Sequence, residues 1–428
     1  MTYSLVIVES PAKCDKIESY LGPGYKCIAS YGHLQQLSSL KDIDISNNFK
    51  PSFAPVDSKI SQISKIKKLI NGSNEVIIAT DDDREGEGIA WHICSLFELS
   101  FDKTKRIIFH EITKTAIINA VKNPTKLDMN MVNAQQGRQI LDLLVGYMIS
   151  PSLWQNISRT KKGLSAGRCQ TPAVRLIYDN QKEIDNSPGK KVYNTTGYFT
   201  NENLPFVLNY NYDDEEKMGE FLETTVEHVH QYSCDKPKIS NRKSPQPFTT
   251  STLQQTSSNE LHISPKETMS ICQKLYEGGY ITYMRTDSKV YSKEFIENAN
   301  EYIINKYGES YSDSSELLHN WVVEEDSSCK KEKTIKTKTK SKKDKEKESV
   351  PPPQEAHEAI RPTNIKIINL PEDGEFTSRE VRLYKLIWRN TLESCMADAT
   401  YKTFNAKITA PEKYEYRYLT EQVVFPGW

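Results

Sequence analysis

The amino-acid sequence predicts a multidomain protein in which an α/β domain comes first and α+β segments follow it. The 428 residues suffice for two to four domains, each large enough to bury a core. The first 125 residues alternate strand patterns with helix patterns, whereas later stretches are mainly helical or mainly β. Together, these observations predict a mainly parallel sheet in the first domain.

The first 125 residues contain two short apolar runs that are typical of buried strands, at residues 5–8 and 76–79. Apolar residues recur at helical spacing within 63–70 and again within 89–97. Because strands that alternate with helices usually lie parallel in one sheet, we expect the two strands to belong to the same sheet.

The rest of the chain changes pattern several times. Residues 131–178 have helical periodicity, 190–240 alternate apolar and polar residues as β structure does, and 251–277 return to helix before a short strand through Tyr283. Residues 323–353 are acidic, then Lys-rich, then proline-rich, and cannot bury enough apolar surface to fold. We therefore predict a disordered insertion there.

The charge of the chain is unevenly distributed. The net charge is −1, but residues 330–347 carry ten Lys against three Asp or Glu, a local charge of +7, which leaves −8 for the remainder (−1 minus +7). Any nucleic-acid contact outside that run must therefore use a local basic groove. The run itself is either a solvated linker or a site of non-specific attraction to DNA.

The eight cysteines are scattered without a CxxC pair. This distribution indicates free thiols in a reducing compartment and argues against zinc ribbons. No apolar run approaches the roughly 20 residues of a membrane span, and the N-terminus lacks a signal-peptide pattern. We expect an intracellular protein with no membrane partner.

Four carboxylates follow the two predicted strands: Glu9 after the first, and Asp81, Asp83 and Glu85 after the second. Functional groups gather beyond the carboxyl ends of parallel strands, and clustered carboxylates favour a hard cation such as Mg²⁺. An EF-hand loop is the weaker interpretation, because His92 stands where that loop needs Glu. A solvated acidic turn is the other alternative.

Tyr283 is the second candidate site. A tyrosine hydroxyl is a poor nucleophile unless nearby cations favour the phenolate, and Arg285 lies two residues on, at strand spacing. Arg285 would stabilise both a phenolate and a phosphate. One tyrosine among 23 is ordinarily structural, so the surrounding motif has to decide.

Seven segments carry that decision. They are residues 6–13 (VIVESPAK), 79–87 (ATDDDREGE), 109–113 (FHEIT), 163–170 (GLSAGRCQ), 247–255 (PFTTSTLQQ), 278–288 (GGYITYMRTDS) and 355–362 (EAHEAIRP). In this order they resemble the motifs of type IA DNA topoisomerases, and the first three resemble the Toprim domain. Met284 and the Gln135-Gln136 pair resemble the bacterial topoisomerase I branch.

The resemblance implies a toroidal core built from four kinds of segment. The implied divisions are a Toprim domain at 1–125 with part of the DNA-binding region near 33–60, a helical DNA-binding segment at 126–190, a β-rich arch segment at 191–250, a gate domain with the catalytic Tyr and the insertion at 251–380, and a return into an incomplete arch at 381–428. The family continues beyond Trp428, so we expect a fragment of a longer protein or an unfinished ring.

The resemblance also implies a reaction. Tyr283 would cleave one DNA strand and hold its 5′ phosphate as a phosphotyrosine ester, and a second strand would pass before religation, which relaxes negative supercoils. The ester conserves the energy of the broken bond, so no ATP is needed. Consistently, the chain has no G-x-x-x-x-G-K-[ST] loop. The implied protein is a monomeric, Mg²⁺-dependent isomerase associated with DNA inside the cell.

The matching positions imply individual roles. Asp81 and Asp83 would hold Mg²⁺ with Glu85 in support, and Glu9 would lie between metal and phosphate and donate a proton to the leaving 3′ oxygen. The catalytic group is Tyr283, Glu9, Arg285 and Lys13, and the metal group is Glu9, Asp81, Asp83 and Glu85. The DNA-binding group is His33, Arg138, Gln139, Asp142, Tyr147, Gly163, Leu164, Ser165, Ala166, Gly167, Arg168, Gln170, His357 and Arg361.

Two departures from the family bear on DNA recognition. Gln139 and Leu143 stand where bacterial relatives carry arginines that help recognise a base upstream of the cut, and Gln35-Gln36 replace an Arg-Asp pair. Two other function classes stay open: another Toprim enzyme, such as a primase or nuclease, and a non-catalytic module that binds single-stranded DNA. Neither class requires Tyr283 together with Arg285.

Overall fold

The computed structural model describes residues 3–157, 164–312, 358–371 and 374–428. The chain forms two compact units. The first unit contains Met1–Arg168, Gln246–Tyr302 and Ser315–Leu392, and the second contains Cys169–Pro245, Ile303–Ser314 and Glu393–Trp428. The predicted insertion at 323–353 lies outside the described residues.

Strands and helices occur in both units. The strands are β1 (Ser4–Val8), β2 (Tyr25–Ala29), β3 (Gln35–Gln36), β4 (Ile43–Asp44), β5 (Lys50–Pro51), β6 (Ala54–Pro55), β7 (Glu75–Ala79), β8 (Lys105–Arg106), β9 (Thr196–Tyr198), β10 (Pro205–Leu208), β11 (Tyr232–Cys234), β12 (Lys238–Arg242), β13 (Ala399–Thr409) and β14 (Glu415–Phe425). The helices are α1 (Pro11–Leu21), α2 (Ile60–Asn71), α3 (Arg84–Leu96), α4 (Lys114–Lys122), α5 (Met129–Asn156), α6 (Gln170–Asn186), α7 (Glu215–Glu227), α8 (Thr250–Thr256), α9 (Pro265–Glu277), α10 (Lys293–Tyr307) and α11 (Ser378–Ser394).

The first unit is built on a four-stranded parallel sheet in the order β2-β1-β7-β8. Strand β1 pairs with β7 from Ser4 opposite Glu75 to Val8 opposite Ala79, so the two strands end side by side. This confirms the α/β first domain and the shared sheet that the apolar runs predict.

Both faces of this sheet are covered, which explains why β1 is apolar from Leu5 to Val8. Val6 and Val8 pack into one hydrophobic cluster, while Leu5 and Ile7 pack into another on the opposite face. Successive side chains of a strand point to opposite faces, so a strand between two packed layers needs an apolar residue at every buried position.

The second unit is built on a six-stranded sheet in which β11, β13, β14, β10 and β9 follow one another and β12 also pairs with β13. Its described pairings are antiparallel. The β interpretation of residues 190–240 is wrong in one place, because α7 occupies Glu215–Glu227. Asp214 caps that helix, and Met218 and Phe221, three residues apart, bury its inner face.

None of the described helices is both long enough and apolar enough to cross a membrane.

Candidate active site

The acidic residues lie where β1 and β7 end. Glu9 follows β1 directly, and its Oε1 accepts a hydrogen bond of 2.9 Å from the backbone N–H of Asp81, which follows β7. Asp83 is the N-cap of α3, and its Oδ1 accepts from the N–H of Gly86 at 2.8 Å. The parallel register of the two strands therefore brings Glu9 to the acidic turn, as predicted.

The turn between β7 and α3 requires glycine at position 86. A Cβ atom added there would lie 2.1 Å from the carbonyl oxygen of Asp81, which is far inside contact distance. The close approach folds the turn tightly enough for Asp83 to cap the helix while Asp81 stays buried beside the sheet. Gly86 thus sets the relative positions of the two aspartates.

Lys13 is the buried cation that contacts the carboxylate of Asp81. Its Nζ lies 2.5 Å from Asp81 Oδ1, and the Lys13 and Asp81 side chains are only 0% and 6% exposed. Burial alone would lower the pKa of Lys13, but the charges of Asp81 and Glu9 outweigh it and raise that pKa. Tyr276 completes the pocket, with its hydroxyl 3.4 Å from the same Asp81 oxygen. Lys13 is therefore a permanent positive charge against Asp81.

Glu9 has an unusual protonation equilibrium. Burial and the negative charge of Asp81 raise the pKa of Glu9 from 4.5 to about 7, although Lys13 opposes the shift. A carboxyl group that titrates near neutral pH can donate a proton and later accept one. This property suits the proton-donor role that the motif implies.

Tyr283 contacts the acidic turn directly. Its hydroxyl donates a 2.6 Å hydrogen bond to Asp83 Oδ2, and Arg285 Nη1 donates to the same oxygen at 3.1 Å. The Tyr283 side chain is 3% exposed, and burial together with the charges of Asp81 and Asp83 raises its pKa, which Arg285 only partly offsets. The phenol is therefore neutral in this arrangement, and Asp83 is placed to accept its proton.

The backbone around Tyr283 is held by the segment that follows β8. Tyr283 N–H donates to the carbonyl of His110 at 2.8 Å, and Gly279 has φ +72° with the carbonyl of Ile112 only 2.7 Å from where a Cβ would stand. The predicted strand through Tyr283 is wrong: Ile281 forms only an isolated bridge with Pro362. Contacts to two neighbouring segments replace sheet pairing there.

Glu85 is engaged differently from the other carboxylates. Its Oε2 is 3.1 Å from His33 Nε2 and accepts a 3.1 Å hydrogen bond from Gln135, and its Oε1 lies 3.5 Å from Arg138 Nη1. The hydrogen bond with His33 is the main cause that lowers the pKa of Glu85 to about 2. Glu85 therefore stays ionised and joins the metal group to the predicted DNA-binding residues His33 and Arg138.

Other predicted DNA-binding residues form a connected polar surface on α5. Arg168 Nε donates to Asp142 Oδ1 at 2.9 Å, and Arg138 lies 3.9 Å from the other oxygen of Asp142. Tyr147 donates to the carbonyl of Ser38 at 3.3 Å. A cavity of about 500 Å³ adjoins this surface; it is lined by His33, Gln35, Gln36, Leu37, Val56, Lys59, Gln139, Asp142 and Leu143.

The predicted glycine-bounded loop is only partly described. Leu164 accepts a hydrogen bond from Trp154 Nε1, and Ala166 N–H donates to Ser150 Oγ at 3.0 Å, which anchors the loop to α5. Ser165 and Gly167 flank Ala166 in a stretch that is neither helix nor strand. Gln170 begins α6 in the second unit. Gly163 and His357 lie outside the described residues.

Arg361 makes protein contacts on several sides. Its guanidinium lies 2.5 Å from Glu358, 3.2 Å from Glu111 and 4.3 Å from the ring centre of Phe295, and its side chain is nearly fully buried. The charges of Glu358 and Glu111 outweigh burial and raise the pKa of Arg361. The structure therefore places this residue in a buried ion-pair cluster.

Sequence reasoning missed Glu111, Glu358 and Tyr276 as site residues. The two glutamates lie inside motifs that had already been singled out, so their charge next to a motif arginine was an available signal. Tyr276 lies on α9 and reaches Asp81 across 195 residues of sequence, and no local pattern points to that contact.

The donor set suits Mg²⁺ by chemistry, because the side chains at the ends of β1 and β7 offer carboxylate oxygens. In the part of the chain that the structure describes, no group of three or more His, Cys, Asp or Glu side chains is already arranged around one point. The Asp81 carboxylate is paired with Lys13, and the Asp83 carboxylate is hydrogen-bonded to Tyr283 and Arg285. A cation would therefore bind by taking over contacts that these side chains now make.

Comparison with known proteins identifies the family of this chain. Residues 4–112 match the Toprim domain, and residues 126–428 match a family described as DNA topoisomerase. The structure of full-length topoisomerase I from Thermotoga maritima is similar, with a TM-score of 0.78 and 33% identity over 98% of this chain. This chain spans 66% of the length of that protein. Because the family match covers well over half of its residues, the chain belongs to the DNA topoisomerase family, in the bacterial type IA branch.

Proposed function

We propose that this protein is a type IA DNA topoisomerase that relaxes negatively supercoiled DNA by transient single-strand cleavage, with Mg²⁺ and without ATP. One observation carries the proposal: the Tyr283 hydroxyl lies 2.6 Å from Asp83 Oδ2, at the edge where Glu9, Lys13 and Asp81 also meet. A nucleophile, a proton acceptor, a proton donor and two cations are thus assembled from separate parts of the sequence.

In the proposed cleavage step, the Tyr283 oxygen attacks the scissile phosphorus, and its proton leaves along the hydrogen bond to Asp83 and passes on to water, so that Asp83 stays a carboxylate. The bond between phosphorus and the 3′ oxygen breaks, and Glu9 donates a proton to that oxygen. With a pKa of about 7, Glu9 is substantially protonated at neutral pH. The 5′-phosphotyrosine conserves the bond energy, and religation reverses each transfer, so no ATP is consumed.

Charge stabilisation comes from two different cations. Arg285 is half-exposed and contacts the oxygen that accepts the Tyr283 hydrogen bond, so it is placed to contact the phosphate on which negative charge develops. Lys13 is fully buried and acts through Asp81. We assign Arg285 to the phosphate and Lys13 to positioning.

Asp81 and Asp83 would hold Mg²⁺, with Glu9 beside them and Glu85 supporting the site from the His33 side. The ion would neutralise negative charge where the phosphate enters. Without the ion, Lys13 and Arg285 neutralise the charges of Asp81 and Asp83. A phosphate adds further negative charge to the site, and this supports the need for an additional cation.

We further propose that single-stranded DNA lies along α5. Arg138 and Arg168 present guanidinium groups to solvent, and both contact Asp142, which holds them in place. His33 and Gln139 line the neighbouring cavity. The other proposed contacts with DNA are Leu164, Ser165, Ala166, Gly167, Gln170, Tyr147, Arg361, Gly163 and His357. We propose that the protein acts on DNA as a monomer inside the cell.

The test is covalent trapping. Single-stranded DNA labelled at its 3′ end is incubated with Mg²⁺ and each protein, and the reaction is stopped with denaturant. The wild type and a Tyr280→Phe control, which alters a tyrosine of the same loop, should retain label on the protein, and Tyr283→Phe should not. Equal labelling of Tyr283→Phe would refute the assignment.

A second candidate function is binding of single-stranded DNA without strand passage, and the Arg138 and Arg168 guanidinium groups held beside Asp142 favour it. In that case the chain binds single-stranded DNA, or forms the adduct, but does not relax a plasmid. Relaxation of negatively supercoiled plasmid by these 428 residues would exclude this alternative.

A further inference from the structure

Two cysteines of the first unit lie on neighbouring elements, beside the same hydrophobic cluster. Cys14 lies on α1 and Cys27 on β2, and both are partly buried. Glu18 lies one turn after Cys14, on the same face of α1, and its Oε2 accepts a 3.0 Å hydrogen bond from the backbone N–H of Cys27. This contact holds that face of the helix over β2 at Cys27.

Both cysteine side chains pack against the same hydrophobic cluster, which includes Ile17 of α1 and Ala29 of β2. Hydrogen bonding with the Cys27 side chain is the main cause that lowers the pKa of Cys14, against burial and the charges of Asp15 and Glu18. The same bond raises the pKa of Cys27. Cys14 is therefore the more thiolate-like member, and Cys27 keeps its proton.

Buried cysteines elsewhere in the first unit behave in the opposite way. Burial raises the pKa of Cys94 to about 11 and that of Cys272 to about 12. A thiol reacts with oxidants through its thiolate, and reactive cysteines are accessible and lie beside a second, resolving thiol. Cys14 meets these conditions, with Cys27 as the second thiol, whereas the buried Cys94 and Cys272 do not.

We propose that Cys14 and Cys27 form a peroxide-sensitive thiol pair that closes reversibly into an intramolecular disulfide between α1 and β2. The inference does not rest on the proposed function. It does concern the helix that carries Lys13, since Cys14 is the next residue along α1.

The chemistry balances with a hydroperoxide as the oxidant. The Cys14 thiolate attacks one peroxide oxygen, the O–O bond breaks, hydroxide leaves, and Cys14 becomes a sulfenic acid. The Cys27 thiol then attacks Cys14 Sγ and displaces water, so that the two thiols have lost two electrons and two protons in total. A dithiol reductant restores both thiols by exchange through the same sulfurs.

The experiment uses the folded chain treated with stoichiometric hydrogen peroxide, blocked with an alkylating reagent and analysed by mass spectrometry. We expect a loss of two hydrogen atoms in mass, recovery of a peptide pair linked through Cys14 and Cys27, and reversal by dithiothreitol. The reaction at Cys14 should be at least about tenfold faster than at Cys94 or Cys272.

Two variants separate the roles of the thiols. Cys27→Ser should stop at the sulfenic acid of Cys14, which dimedone traps, and Cys14→Ser should leave Cys27 at least about tenfold less reactive than Cys14 is in the wild type. In denaturant the preference for Cys14 should disappear. If the linked peptide is absent from oxidised wild type, or if Cys14 reacts no faster than the buried cysteines, the proposal is wrong.

Discussion

Replacing Lys13 by methionine tests whether the buried charge pair organises the site. Methionine nearly matches the length of the lysine stem but removes the charge 2.5 Å from Asp81, whose side chain is only 6% exposed. Removal of one partner of a buried ion pair costs roughly 3–5 kcal/mol, because the other charge stays buried without its counter-ion. Tyr276 still donates to Asp81, so we expect a loss near the lower limit, about 3 kcal/mol.

The measurement is urea-induced unfolding, in EDTA, of the wild type, Lys13→Met, Asp81→Asn and the double variant. The double variant lacks the stranded charge, so the effects of the single changes should not add, and the coupling energy should be at least about 2 kcal/mol. Lys16→Met is the control: Lys16 lies on the same helix and donates to the carbonyl of Gly278, a hydrogen bond that contributes about 1 kcal/mol. A Lys13→Met loss below about 1 kcal/mol, or additive effects, would refute the reasoning.

Three further predictions follow from the same geometry. Gly279→Ala should lower the free energy of unfolding by about 1–3 kcal/mol, because φ is +72° and the carbonyl of Ile112 blocks the new methyl group. The control, Gly219→Ala on an open helix face, should be neutral or stabilising, and equal effects of the two changes in urea unfolding would contradict the prediction. The pKa of Glu9 is raised, so the protein loses stability as pH rises from 4.5 to about 7 and the folded state gives up the Glu9 proton. Glu9→Gln should remove that loss, which is about 1–2 kcal/mol after allowance for partial exposure. Parallel curves of unfolding free energy against pH for the wild type and Glu9→Gln would contradict the prediction. Arg285→Ala should slow covalent adduct formation by about 10²–10³-fold while DNA binding falls less, and an unchanged single-turnover rate would exclude the phosphate-stabilising role.

Local pattern was sufficient for much of the first unit. The uniformly apolar runs of β1 and β7 indicate strands buried on both faces, and two adjacent parallel strands must end at the same edge, so Glu9 and Asp81 could be placed together from sequence. The Tyr283 motif was identified through its resemblance to a family, since one tyrosine has no distinctive pattern of its own. Strand and helix patterns depend only on residues that are neighbours in sequence, and for that reason they can be predicted from the sequence.

The partners of the charged groups were decided only by the tertiary structure. Lys13 meets Asp81 across 68 residues and Tyr283 meets Asp83 across 200, while Glu85, which shares a motif with both aspartates, contacts His33. A charge is neutralised by whichever group packing brings within a few ångströms, and no periodicity of sequence encodes that choice. The sequence by itself determined which residues have the chemistry for cleavage, and the packing of distant segments determined which of them share a proton or a charge, because those contacts exist only after the chain has folded.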